Sequence, residues 1–146
     1  MSKAVLMSIQ PKWCQLIIIG NKTIEVRKSC PKLRPPFKVY IYCTKDKKYS
    51  GDAQGKVIGE FLCEAIEKYP YNRNGYGLKQ EKFLCFLSCL ESLELYRYLQ
   101  GATPYAWHIS DFVIYDTPKE LSDFGRSKPP QSWCYVEDGD KNADLP

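Results

Sequence analysis

The sequence predicts an α+β domain, a small and mostly antiparallel β-barrel flanked by helices. Three observations lead there. Segments patterned as strands outnumber those patterned as helices, and the two do not alternate as in a doubly wound parallel sheet. The 146 residues fit one domain, long enough to bury about 70% of the surface that the unfolded chain exposes. The composition, 44% hydrophobic and 26% charged, supplies a core without low-complexity stretches or repeats.

Ala4 to Ile9 reads as a buried first strand. Pro11 suits the first turn of a helix, Trp13, Leu16 and Ile17 fall at helical spacing, and Gly20 stands where a C-terminal glycine ends it. Lys22 to Arg27 alternates as a strand. Cys30-Pro31 and Pro35-Pro36 enforce a loop, after which Phe37 to Thr44 is the clearest strand of the chain. Lys45 to Lys48 makes an exposed basic turn, and Lys56 to Ala65 resumes as a strand buried on both faces. Residues 69–80, rich in tyrosine, asparagine and glycine, read as a loop. Ser88 to Leu99 reads as a helix that ends at Gly101. Ser88 with Glu91 fits a capping box at its start, and Ser92 is an alternative cap. Tyr105 to Tyr115 alternates as one long strand, bent at Ser110-Asp111, and Pro129-Pro130 precedes a last strand, Ser132 to Val136.

No stretch approaches the roughly 20 apolar residues that span a membrane, and the N-terminus carries no cleavable signal pattern. The seven cysteines are odd in number and scattered, so they are expected as reduced thiols in a cytoplasmic protein. Cys43 and Cys63 lie in apolar strands, where cysteine acts as a small hydrophobe. There is no C-x-x-C pair and His108 is the only histidine; no metal and no cofactor are expected. Residues 1–136 form the expected domain with net charge +7, and residues 137–146 an acidic tail of −3 expected to be disordered. A basic body suits an anionic partner such as nucleic acid or a nucleotide, or carries a solvated lysine surface.

The segment Gly20 to Arg27 is the richest in chemistry. Side chains two apart on a strand share a face. Ile24 and Val26 then point to the core, while Thr23, Glu25 and Arg27 point away from it, with Lys22 beside the helix end. A carboxylate with two cations can read a nucleobase edge, or do acid–base work where burial tunes it. The ordinary alternative is a solvated face of weak ion pairs.

Ser8-Ile-Gln-Pro-Lys-Trp13, followed by Ile19-Gly-Asn-Lys-Thr-Ile-Glu-Val-Arg27, is similar to the signature of ASCH domains, relatives of the PUA RNA-binding fold. Tyr105 to Asp111 and Pro130 to Tyr135 resemble the small phage and bacterial branch of that family. The resemblance, from Val5 to Val136, implies a PUA-like β-barrel of five or six strands with two or three helices. It also implies a cleft beside Lys22 to Arg27 that takes RNA or a nucleotide-like ligand. One branch hydrolyses the acetyl amide of N4-acetylcytidine with a lysine, a threonine nucleophile and a glutamate. That lysine falls on Lys22, and the threonine position, three residues on, holds Glu25; Thr23 comes too early. Glu60, Glu64 and Glu91 are each candidates for the distant glutamate.

The expected function is binding of RNA or a modified nucleoside by Lys22, Glu25 and Arg27. Glu25 accepts from a base amine, Lys22 supplies charge, and Arg27 buttresses Glu25 or meets a ligand oxygen. Trp13, His108 and Trp133 are the candidate cleft aromatics, though each also suits the core. Two alternatives stand beside this reading. One is an N4-acetylcytidine amidohydrolase with Lys22 and Glu25 as its acid–base pair. The other is a protein-interaction module presenting Tyr71, Arg73 and Tyr76 of the 69–80 loop. Lys45, Lys47 and Lys48 either form a plain solvated turn or track a phosphate backbone.

Overall fold

The computed structural model describes residues 2–70, 75 and 77–139. The first half of the chain gives β1 (Lys3–Ile9), α1 (Pro11–Ile18), β2 (Ile24–Arg27), β3 (Phe37–Cys43), β4 (Lys56–Cys63) and β5 (Ile66–Lys68). Then come α2 (Leu78–Ser88), α3 (Ser92–Leu99), β6 (Tyr105–His108), β7 (Ser110–Lys119), a 3₁₀ turn over Leu121–Phe124 and β8 (Trp133–Glu137). Five strands in the order β7-β4-β3-β1-β8 make a large sheet, and β2-β6-β5 make a small one. β1 and β3 run parallel, linked by a crossover that contains α1; the other pairings are antiparallel.

The α+β class holds, but the expected closed barrel does not form. Among the described residues the large sheet keeps β7 and β8 as separate edges, and three further strands pair only with one another. The division arises inside the segment expected as one strand over Tyr105 to Tyr115. Ile109 leaves the ladder by donating its N–H to Thr23 O (2.9 Å), and Asp111 takes a left-handed φ of 49°. β6 therefore ends in the small sheet and β7 begins in the large one.

The helical region also differs from expectation. Residues 78–88, placed across the loop and the segment before the helix, form α2. Only Leu84 and Ser88 of α2 are buried, whereas Leu78, Phe83 and Phe86 are exposed, which blurs the apolar stripe that marks a helix. Ser88 closes α2 instead of opening the next helix, because Cys89 adopts φ 64°. The cap of α3 is Glu91, in a reciprocal capping box with Glu94.

Alternation buries both faces of the large sheet. Val5, Met7, Ile9, Val39 and Ile41 pack against α1 and Trp107 of the small sheet. Leu6, Tyr40, Tyr42 and Val57 face Leu121 and Phe124 on the other side. A third cluster joins Ile24, Val26 and Ala106 to Leu84, Leu95 and Leu99, so α2 and α3 cover the small sheet. No helix among the described residues is long and apolar enough to cross a membrane.

Candidate functional site

The end of α1 is built to deliver Lys22. Gly20, at φ +84°, turns the chain; its N–H donates to Ile17 O (3.0 Å) and that of Asn21 to Leu16 O (3.0 Å), the Schellman pair of bonds. The Lys22 N–H shares Leu16 O (3.0 Å), and the Thr23 N–H then bonds Leu87 O (2.8 Å). The backbone thus steps from the end of α1 to the end of α2. There the Lys22 ammonium donates to Ser88 O (2.6 Å), at the negative end of the α2 dipole, which favours a cation. Lys22 is 2% exposed.

Because Ile24 and Val26 are drawn into the apolar cluster under α2 and α3, Glu25 and Arg27 turn to the opposite face. The Glu25 side chain is 9% exposed; Oε2 lies 3.6 Å from Lys22 Nζ and Oε1 lies 3.4 Å from Arg27 Nε. Oε2 is buried and accepts no hydrogen bond. Arg27 Nη2 donates to Ser8 O (2.7 Å) and Nη1 to Ser132 Oγ (3.1 Å) and Ser132 O (3.4 Å). Arg27 therefore clasps β2 to β1 and to the loop before β8, with a protein acceptor for every guanidinium nitrogen. The Trp13 ring lies 5.0 Å from Lys22 Nζ, in cation–π contact.

A cavity of about 300 Å³ opens over these groups. Lys22, Glu25 and Arg27 form one wall, and Ser8, Gln10 and Trp13 another. Thr44, just beyond β3, and Gln131, just before β8, add polar groups; Leu90 and Tyr98 close the side toward α3. Burial pushes the Tyr98 phenol upward, so it stays a neutral hydrogen-bonding group near neutral pH. Among the described residues Glu25 is the only carboxylate in this lining.

Of the residues singled out from sequence, Lys22, Glu25, Arg27 and Trp13 converge. His108 and Trp133 do not line the cavity. The β2–β6 register sets Trp107 opposite Glu25 and His108 opposite Ile24, and His108 pairs with Glu67 of β5. Trp133 donates from Nε1 to Ser29 Oγ (3.0 Å) and meets Trp107 edge-on at 5.7 Å. Of the candidate second carboxylates, Glu60 accepts from Tyr115 (2.7 Å) and pairs with Lys38 (3.1 Å), Glu64 is exposed, and Glu91 caps α3. Tyr71, Arg73 and Tyr76 lie outside the described residues, and Lys45, Lys47 and Lys48 are exposed. Sequence reasoning missed Gln10, Thr44, Tyr98 and Gln131. Gln10 and Gln131 sit inside the two signature pieces that flank the strand, which was the available signal. No cluster of three or more His, Cys, Asp or Glu side chains able to hold a metal occurs among the described residues.

Fold and site together define a mixed α+β domain with a polar cavity behind a buried lysine–glutamate pair. The ASCH domain family matches residues 7–119, and the chain belongs to that family, whose fold is PUA-like and associated with RNA binding. The solved ASCH protein of Zymomonas mobilis is 21% identical, with 95% of this chain and 91% of that chain covered and a TM-score of 0.74. A tyrosine-to-phenylalanine variant of it gives 20% identity, coverage of 97% and 96%, and a TM-score of 0.72. A serine-to-alanine variant gives 19%, 96% and 92%, and 0.71. At these identities the likeness is one of fold. A comparison with curated proteins gave no match.

Proposed function

We propose that this protein binds RNA, or a modified nucleoside, in the cavity beside β2. The observation that carries the reading is the buried Lys22–Glu25 pair, in which Glu25 Oε2 has a cation at 3.6 Å but no hydrogen bond. A buried acceptor left unfilled is costly, and a ligand N–H relieves that cost. The exocyclic amine of cytosine or adenine is such a donor. Lys22 adds positive charge, the Trp13 and Tyr98 side chains line the same space, and Arg27 positions the Glu25 carboxylate. The volume lies at the lower end of ligand cavities, about 300 to 1,000 Å³, and suits a single nucleoside unit.

Calorimetric titration with cytidine, uridine and a short single-stranded RNA tests this. Cytidine should bind more tightly than uridine by about 1–3 kcal/mol, the scale of a good base-edge contact. RNA affinity should fall as salt rises. Glu25→Gln should erase the preference in a folded protein; equal binding by wild type and variant would refute the reading.

A second reading has one observation in its favour: Lys22, Glu25 and the residue Thr44, which bears a hydroxyl, line the same cavity. Hydrolysis of an N4-acyl amide would use such a set. Acetate release from N4-acetylcytidine, lost in Lys22→Ala, supports it, and absence of turnover at high enzyme concentration excludes it.

A further inference from the structure

At about 300 Å³ the cavity holds a single nucleoside unit, so whatever is bonded to that unit lies at the mouth. The cations near it fall into two groups. Lys22 and Arg27 are committed to Glu25 and to backbone or serine oxygens, and Lys12 pairs with Glu94 (3.7 Å) of α3. Lys28 is different. It is exposed, follows Arg27 directly, and holds its ammonium 4.8 Å from the centre of the Tyr98 ring, which belongs to the cavity lining. From β3, Thr44 of the same lining leads straight into the exposed turn that carries Lys45, Lys47 and Lys48. The Lys45 side chain lies along Gly55, where a Cβ would fall 2.7 Å from Lys45 Cε. Among the described residues none of these four lysines has a carboxylate within 4 Å.

We propose that the cavity takes an internal nucleotide of a single RNA strand, with Lys28 receiving the phosphate on one side of that nucleotide and the Lys45–Lys48 turn the phosphate on the other. This rests on the cavity reading above for the base, and it adds the class of molecule to which the base belongs. A free nucleoside gives the four unpaired lysines nothing to neutralise, and a mononucleotide reaches one group only. A strand continues in two directions from the bound unit and so supplies both. The two contacts come from different parts of the fold, Lys28 from the end of β2 in the small sheet and the turn from the end of β3 in the large one. Phosphate contacts of this kind set the register of a strand, while the cavity reads the base. Lysine suits them, because a point charge on a flexible stem tolerates varied backbone geometry. The bound base is unpaired, since Glu25 takes the amine that pairing would use.

The test is calorimetric titration of the full chain with cytidine, cytidine 5′-monophosphate and the trinucleotide U-C-U, between about 50 and 200 mM salt. Affinity at low salt should rise in that order, with cytidine, which carries no phosphate, insensitive to salt. Lys28→Gln should weaken U-C-U several-fold relative to cytidine and lower its salt slope by about 0.7, the share of one phosphate on a single strand. The combined Lys45→Gln, Lys47→Gln and Lys48→Gln variant should do the same from the other side. Lys12→Gln, which removes an equally exposed but paired lysine, should leave the slope as it is. The proposal is overturned if U-C-U binds no more tightly than cytidine, or if neither variant changes the slope. It is also overturned if Lys12→Gln costs as much as Lys28→Gln, because net charge alone then accounts for the binding. If U-U-U binds as well as U-C-U while the slopes still fall, the base reading fails and the two phosphate contacts stand.

Discussion

Replacing Lys22 with methionine keeps the aliphatic stem and removes only the ammonium. The structure fixes what is lost: the 2.6 Å bond to Ser88 O, the 3.6 Å pairing with Glu25, and the cation–π contact with Trp13 at 5.0 Å. What remains is a carboxylate, 9% exposed, whose remaining ion pair among the described residues is with Arg27 Nε at 3.4 Å. Removing one partner of a buried pair costs about 3–5 kcal/mol, because the other charge is left uncompensated. The retained Arg27 contact places Lys22→Met near the lower end, about 3 kcal/mol. For a domain of this size that is a fall in Tm of roughly 6–12 °C. Urea unfolding followed by tryptophan fluorescence measures it, with an unchanged slope showing that the variant still unfolds in one step. Adding Glu25→Gln to Lys22→Met removes the stranded charge and should restore part of the loss, giving a coupling of about 1–3 kcal/mol in the double-mutant cycle. A cost below about 1 kcal/mol for Lys22→Met, the scale of exposed pairs, would refute the reasoning. So would additive losses in the double variant.

Gly20→Ala should cost about 1–2 kcal/mol, since a Cβ there meets nothing within 4 Å and the penalty is that of φ +84° alone; Gly20→Asn should cost less, as read by chemical denaturation. Gly59→Ala should cost about 1–3 kcal/mol or more, because its Cβ falls 2.4 Å from Val113 O and β4 must part from β7; a near-neutral Tm would contradict the packing. Burial raises the Tyr40 phenol from 10.0 to about 12, so the folded chain keeps a proton that the unfolded chain releases. The stability from this group is complete below pH 10 and is lost as pH rises toward about 12. Urea midpoints across that window should fall more steeply in wild type than in Tyr40→Phe, and equal slopes would rule the linkage out.

The parts of this molecule legible in its sequence are those set by local backbone chemistry. Pro11 and Gly20 bound α1 because each acts through its own φ, and Lys22 is placed by the turn that Gly20 makes. The faces of β2 were legible because Ile24 and Val26 are apolar at period two and Glu25 and Arg27 are not. Pairing is different. Alternation assigns His108 and Trp107 to opposite faces but does not say which faces Glu25; only the β2–β6 register does. Barrel closure was misjudged for the same reason, since whether β7 meets β8 depends on contacts distant in the chain. Tyr98 and Thr44 reach the cavity from elements whose local patterns carry no mark of it.

A buried lysine–glutamate pair is poor material for stability alone, since apolar side chains of similar volume serve as well or better. Here several devices hold that pair in place. The Schellman turn of α1 hangs the Lys22 backbone, the end of α2 receives its ammonium, and Arg27 clasps Glu25 from the other side while joining the two sheets. Arg27 has its nitrogens committed to Ser8, Ser132 and Glu25, so in the proposed binding its part is to position Glu25. That leaves one unfilled acceptor, Glu25 Oε2, held beside a fixed cation with the Trp13 and Tyr98 side chains in the same lining. An arrangement that holds two charges out of water, yet leaves one hydrogen bond unmade, is the preorganisation that the proposed binding of a ligand N–H would use.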